Sequence, residues 1–373
     1  MGKVENQATS EMIKVGILTF HKAKNYGAVL QAYALQTVLQ NNQFNVSIID
    51  YQNADIYRYS DYHIFSDRHH IKTILGKILR YRYNKKVFLK FAAFRKKHMI
   101  LSPACKNLAE LKEVESHYDA IICGSDQIWN PKAIFNDFDA FLLGTVSCKR
   151  IAYAASAGSV SLWEKYLQKY WDLLHRFDAI SVREADMLQP VENLSQKNVS
   201  LVCDPTLLLN CEDWIKIENK ESNKILSDGY ILVYFLGSNE TVVRTALALQ
   251  KKTKLPIVSI GRRIKGSYRP TIGPEDFLTL FHHASYVLTS SFHGTVFAIQ
   301  YQKPFLVFGN GIYNSRMLTL LNHLGIQERM MASSYSTEQI LSELNKRLNW
   351  TEVNRRRDML RETSINFLKT SLE

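Results

Sequence analysis

The chain has 373 residues, 46% hydrophobic and 22% charged, enough apolar material for two cores and too much for a disordered protein. It contains no apolar run of the ~18–20 residues needed to span a bilayer, and its polar start, Met1–Glu11, lacks the basic-then-apolar order of a secretory signal, so a cytoplasmic protein is expected. The formal net charge of +12 is concentrated in one segment: Arg68–Ala109 holds twelve cations and no Asp or Glu, leaving thirty-five of each sign elsewhere.

Read in chain order, the first half alternates short apolar runs with helical patterns. Lys14–Phe20 reads as a strand, Ala28–Leu39 as a helix and Val46–Tyr51 as a second strand. Beyond the basic segment come an amphipathic stretch, Leu108–His117, and strands at Ala120–Cys123, Ile151–Ala155, Ala179–Arg183 and Ser200–Cys203, with a helix over Leu162–Phe177. The pattern weakens near 205–228 and restarts. Strands are expected at Tyr230–Leu236, Pro256–Ile260, Tyr286–Thr289 and Pro304–Phe308, with helices over Val242–Gln250, Pro274–His283 and Thr295–Gln300. Such alternation indicates parallel sheets covered on both faces. The expected architecture is α/β, with two doubly wound Rossmann-like domains and a cleft between them. Residues 12–210 form the first domain, with a basic helical insertion at about 60–107, and 211–350 the second. Residues 351–373 form a terminal helix that would pack back across both.

In open parallel sheets ligands sit beyond the carboxyl ends of the strands, so the strand-to-helix loops supply the candidate site. Gly237-Ser238-Asn239 precedes a helix whose free N–H groups suit an anion, although Asn239 would equally serve as its cap. Arg262 and Arg263 offer forked donors for phosphate or carboxylate, and a solvated basic loop is the alternative. The segment Thr289-Ser290-Ser291-Phe292-His293-Gly294-Thr295 places hydroxyls, an imidazole and a glycine between an apolar strand and an apolar helix. There His293 is suited to proton transfer or phosphate contact, and Gly294 to close approach of a ligand. In the first domain Asp126 follows a strand, where it would accept a proton or cap a turn. Trp129 is either a sugar platform or a core residue. The five cysteines form no C-x-x-C pair, which argues against a disulfide scaffold or a zinc site, and no metal cluster is visible.

The same segments carry a resemblance. Asn25-Tyr26-Gly27-Ala28-Val29-Leu30-Gln31, Gly124-Ser125-Asp126-Gln127-Ile128-Trp129-Asn130-Pro131, Tyr153-Ala154-Ala155-Ser156, Ser181-Val182-Arg183-Glu184, Asp204-Pro205-Thr206 and Ser291-Phe292-His293-Gly294-Thr295, in this order, resemble the polysaccharide pyruvyl transferase family. The resemblance implies a glycosyltransferase-B-like pair of domains. It also implies transfer of the pyruvyl group of phosphoenolpyruvate to two hydroxyls of a hexose in a capsule or exopolysaccharide precursor, giving a cyclic ketal and phosphate. No cofactor and no metal are implied. His293 and Asp126 then become the acid/base candidates. Arg183, with Ser290, Ser291, Gly294, Thr295, Gly237, Ser238, Asn239, Arg262, Arg263 and Arg316, would hold the donor. Asn25, Tyr26, Gly27, Ser125, Gln127 and Trp129 would face the sugar. Family members often carry Arg two places before the histidine; here Ser291 stands there, so either Arg183, Arg262, Arg263 or Arg316 supplies that charge or the donor differs.

Two other functions fit the same fold. A glycosyltransferase would use a nucleotide sugar, and a non-catalytic scaffold would sit on a membrane surface and survive loss of His293. The basic segment, Arg68 to Lys106, mixes cations with apolar residues at helical spacing. It would either dock on the sheet or contact an anionic membrane, where a lipid-diphosphate-linked acceptor would be presented. No nucleic-acid module is recognisable, and no G-x-G-x-x-G follows the first strand.

Overall fold

The computed structural model describes residues 12–54, 74–221, 229–235, 237, 239–309 and 314–373, with side chains from 81 onward in the second of these stretches. Ser238, Arg68 and Lys72, and the side chains of Lys77 and Arg80, therefore lie outside the described residues. The first sheet contains β1 (Lys14–Leu18), β2 (Asn45–Ile48), β3 (Ala120–Cys123), β4 (Lys149–Ala155), β5 (Ala179–Val182) and β6 (Val199–Leu201). They run parallel in the order β2-β1-β3-β4-β5-β6. The second contains β7 (Ile231–Phe235), β8 (Ile257–Gly261), β9 (Tyr286–Thr289), β10 (Phe305–Phe308) and β11 (Met330–Met331). These are parallel in the order β11-β10-β9-β7-β8. Central strands such as β3 and β7 are buried along their whole length, which is why they read as unbroken apolar runs instead of alternating ones.

The covering helices of the first half are α1 (Tyr26–Asn41), α2 (Ile74–His98), α3 (Leu108–Glu115), α4 (Phe138–Phe141), α5 (Leu167–Leu174), α6 (Leu188–Ser195) and α7 (Cys211–Lys216). Those of the second are α8 (Glu240–Thr253), α9 (Pro274–His283), α10 (Phe292–Gln300), α11 (Ser315–Leu324), α12 (Thr337–Asn345) and α13 (Trp350–Leu372). Strand order reverses between β1 and β3 in one sheet and between β7 and β9 in the other. A crevice opens at each such point, and the loops after β3 and β9 carry Asp126 and His293.

The helix expected over Leu162–Phe177 is broken into a 3₁₀ turn, Val160–Tyr166, followed by α5. Trp163 and Tyr170 stack at 4.3 Å, and both donate to the carbonyl of Trp129. An unbroken helix would hold residues seven apart about 10 Å from each other along its axis, so the stack requires the break.

The two sheets share one core. Tyr26 at the start of α1 stacks on Phe277 of α9 at 4.6 Å with the rings nearly parallel, and Phe91 of α2 lies 5.0 Å from Tyr26. The described part of the basic segment is thus a docked helix. Lys90 pairs with Asp276 at 2.7 Å, and Lys97 and His98 with Glu275 at 2.8 Å. Its opposite face leaves Arg82, Lys85, Lys86, Leu89 and Lys96 exposed. At the other end of the chain, α13 returns to the first domain. Arg361 donates to the carbonyls of Leu207 and Leu209, and Cys203 N donates to Ser364 Oγ at 2.9 Å. Among the described residues no helix is long and apolar enough to cross a membrane.

Glu115, at the end of α3, is buried with only Thr145 donating to it, and its second oxygen has no hydrogen bond. Burial pushes its carboxyl up to about 7. A carboxyl raised on folding keeps its proton while the unfolded chain ionises. It therefore costs stability as pH rises from about 4.5 through 7, and the full penalty stands above that. Glu115→Gln is expected to raise the unfolding free energy at pH 8 by on the order of 1–3 kcal/mol, read from denaturant melts, and to leave it near the parent value at pH 4.5. Equal gains at both pH values would contradict the assignment.

Candidate active site

Both crevices deliver charged side chains to one buried cluster. Asp204, directly after β6, is wholly enclosed. Its Oδ1 accepts from the amide and hydroxyl of Thr206 at 3.0 and 2.6 Å. Its Oδ2 accepts from Arg183 Nη1 at 2.5 Å and lies 3.6 Å from His293 Nε2. Burial works against this carboxylate, but the His293 imidazole and the Arg183 guanidinium outweigh it and hold the carboxyl well below its usual range. Arg183, from the end of β5, also lies 3.6 Å from Asp126 and 3.9 Å from Glu184. These three carboxylates overcome its desolvation and raise its pKa.

Arg316, at the start of α11, approaches Glu184 at 3.8 Å. The side-chain amide of Gln127 lies 3.1 Å from its guanidinium. Burial and the neighbouring Arg183 lower the pKa of Arg316, and burial raises that of Glu184. The Phe292 ring lies 4.6 Å from the Arg183 guanidinium carbon and 5.8 Å from that of Arg316, distances at which an aromatic face favours a cation. Several polar atoms here are buried without a hydrogen bond: Arg183 Nε and Nη2, Arg316 Nε, Glu184 Oε2 and His293 Nε2. Buried donors without acceptors are costly, and these converge from both domains. The adjoining cavity, lined by Arg183, Asp204, Phe292 and Arg316, measures only about 20 Å³, room for about one water.

His293 lies in the first turn of α10, which begins at Phe292, earlier than the sequence pattern suggests. Ser291 caps that helix by accepting from Gly294 N, and Thr295 donates its hydroxyl back to Ser291 O. Gly294 is required for packing: a Cβ there would lie 2.2 Å from Thr289 Oγ1, so its open side faces β9 and not a ligand. Ser290 is buried beside them. Gly27 has a comparable role toward the imidazole, since a Cβ on it would lie 1.9 Å from His293 Nδ1. The histidine from the second domain is seated on the first turn of α1, which Asn25 caps by accepting from Gly27 N and Ala28 N.

Asp126, the residue expected to face a sugar, is mostly buried beside Arg183 and has a left-handed backbone, φ 75°. Ser125 is fully buried and donates to Ala154 O. Tyr26 is committed to the interdomain aromatic stack. Trp129 is not a sugar platform: it is completely buried, and its indole donates to Phe141 O. Asn239 caps α8 and donates to Gly309 O, as a structural residue would. Gly237 and Arg262 meet at an exposed edge, where Arg262 donates to Gly237 O, and Arg263 is exposed beside them. No described contact joins these loops to the cluster around His293. Asp204 and Glu184 are the site residues that sequence reasoning missed. Both stood in recognised fragments, but nothing in spacing showed that they would be buried against Arg183.

The fold has known counterparts. The UDP-N-acetylglucosamine 2-epimerase of Rickettsia bellii superposes with a TM-score of 0.51 at 10% identity, over 97% of both chains. The UDP-bound MnaA of S. aureus superposes with a TM-score of 0.50 at 11% identity, over 96% of both. No curated protein matches the chain. The two parallel sheets with flanking helices and the cleft between them define a two-domain, Rossmann-like glycosyltransferase-B fold. Residues 25–311 match the sequence profile described as Polysaccharide pyruvyl transferase, and the chain belongs to that family of transferases.

Because the imidazole rests where Gly27 would carry a side chain, Gly27→Ala is expected to displace His293 by an ångström or more. Transferase turnover should fall by about 100-fold or more, while circular dichroism and the presence of a cooperative melt are retained. Undiminished turnover in this variant would show that the seat is not needed.

Proposed function

We propose that this transferase moves the pyruvyl group of phosphoenolpyruvate onto two hydroxyls of a hexose, forming a cyclic ketal and releasing phosphate. The observation that carries this reading is the pair of buried guanidiniums beside His293, whose Arg183 Nε and Nη2 and Arg316 Nε make no hydrogen bond and meet carboxylates only at 3.6–3.9 Å. A small dianion or trianion bearing carboxylate and phosphate would offer these donors acceptors at hydrogen-bonding distance. In this reading the two arginines would supply the charge that relatives often carry on an Arg where Ser291 stands.

In this scheme His293 protonates the methylene carbon of the enol ester, making the adjacent carbon electrophilic. A sugar hydroxyl attacks that carbon and gives its proton to Asp126. The carbon–oxygen bond to phosphate breaks, the guanidiniums stabilise the departing phosphate, and a second hydroxyl adds to the resulting oxocarbenium carbon, returning its proton to His293 and closing the ketal. Asp204 touches no reacting atom; it positions Arg183 and His293. Closure of the two domains over the donor would complete the site and exclude water. The exposed cations Arg82, Lys85, Lys86 and Lys96 around Leu89 on α2 would hold the enzyme against an anionic membrane carrying a lipid-diphosphate-linked acceptor.

The decisive experiment incubates the protein with phosphoenolpyruvate and a panel of free and lipid-linked hexosides, reading phosphate release and the mass of the sugar. Acceptor-dependent phosphate release with a ketal mass gain is expected, reduced about 100- to 10,000-fold in His293→Ala. Turnover of a nucleotide sugar without any use of phosphoenolpyruvate would overturn the reading. Separately, vesicles containing anionic lipid should sediment the protein at low salt, and neutralising Lys85, Lys86 and Lys96 together should weaken that binding several-fold. Binding that is unchanged in the triple variant would remove the membrane contact.

A further inference from the structure

At the far end of β9 from His293, a second polar group gathers that the transfer chemistry does not use. Glu218 lies in the connector between the sheets, and His282 and His283 close α9. His282 Nδ1 sits 3.0 Å from one Glu218 oxygen and 3.1 Å from the other. The two imidazoles lie 4.6 Å apart, and one ligand atom from each of the three residues falls within 4.8 Å of the others. We propose that Glu218, His282 and His283 bind a divalent transition-metal ion of the zinc class, clamping the interdomain connector to α9.

The donor set fits that class. Two imidazoles and a carboxylate suit zinc, cobalt or nickel, whereas magnesium and calcium take all-oxygen cages. Donor atoms around a tetrahedral zinc lie about 3.3–3.5 Å apart. The His282–Glu218 edge is already at that scale, and rotation of the His283 ring closes the others. The wall of the group is also built. Tyr301 stacks on His282 at 4.9 Å with the rings nearly parallel, and its buried hydroxyl is directed at Glu218. Lys303 is a cation close to His283 and Glu218.

The clamp would reinforce contacts already present, because Asn219 donates to Asp276 and Thr279 donates to Asn219 O. It would tie the connector to the second domain without touching the cluster around His293. Binding to the native state alone raises stability in proportion to the logarithm of metal concentration.

The test uses the full chain without an affinity tag, dialysed against chelator. Calorimetric titration with Zn2+ is expected to show one ion per chain and a rising melting temperature, with no shift in Mg2+. Addition of Co2+ should give the intense visible bands of a four- or five-coordinate site. Glu218→Gln and His283→Ala should each weaken zinc binding at least ten-fold while their metal-free melting temperatures stay close to the parent. No zinc uptake by the parent chain, or an affinity unchanged in both variants, would overturn the proposal. The outcome does not depend on which donor the active site uses.

Discussion

The burial of Asp204 between an arginine of its own domain and a histidine of the other is the constraint around which the molecule is arranged. A carboxylate removed from water must find compensating charge and hydrogen bonds. Asp204 takes two bonds from Thr206, one from Arg183 and the electrostatic support of His293. This requires β6 to end where it does and α10 to begin at Phe292. It also requires the first turn of α1 to be bare of a side chain at Gly27. The interface between the domains is therefore fixed by electrostatics at its centre and by the Tyr26, Phe91 and Phe277 aromatic packing around it.

Much of the fold was legible because parallel strands buried on both faces leave a plain signature. β3, β9 and α9 fall where the apolar runs place them. The helix at 162–177 misled because periodicity carries no trace of a long-range bond: the stack of Trp163 on Tyr170 depends on a carbonyl more than thirty residues away. The site was legible in part. His293, Arg183 and Asp126 lie at strand ends, and topology brings strand ends together. Trp129 read ambiguously, since an indole beside an apolar strand serves a core or a sugar equally well, and only its complete burial decides. Asp204 and Glu184 were invisible as partners, because a carboxylate's neighbours are set by tertiary packing. The same holds for Glu218 with His282 and His283, whose separation in sequence matches no metal-ligand spacing.

The strong positive charge also acquires a structural meaning. It sits on a helix that belongs to the first domain by sequence and packs against the second. Part of the charge is used in that contact, through Lys90 with Asp276 and Lys97 with Glu275. The latter pair is largely exposed and contributes little by itself. Lys90 meets an aspartate that is almost fully buried, a geometry that penalises loss of either partner more heavily. Arg82, Lys85, Lys86 and Lys96 are exposed on the other face of the helix.

The return of α13 to the first domain has a mechanical consequence. The backbone passes between the two sheets once through the connector after β6, and it comes back along the terminal helix, which is fastened at Leu207, Leu209 and Cys203. Both attachments lie on the same short stretch that ends in the Asp204 turn. Near the Asp204 turn the domains are joined by the chain itself, whereas the Tyr26 stack and the Lys90–Asp276 pair elsewhere in the interface are side-chain contacts that can be exchanged. A movement between the domains would therefore begin away from Asp204 and leave its surroundings tied.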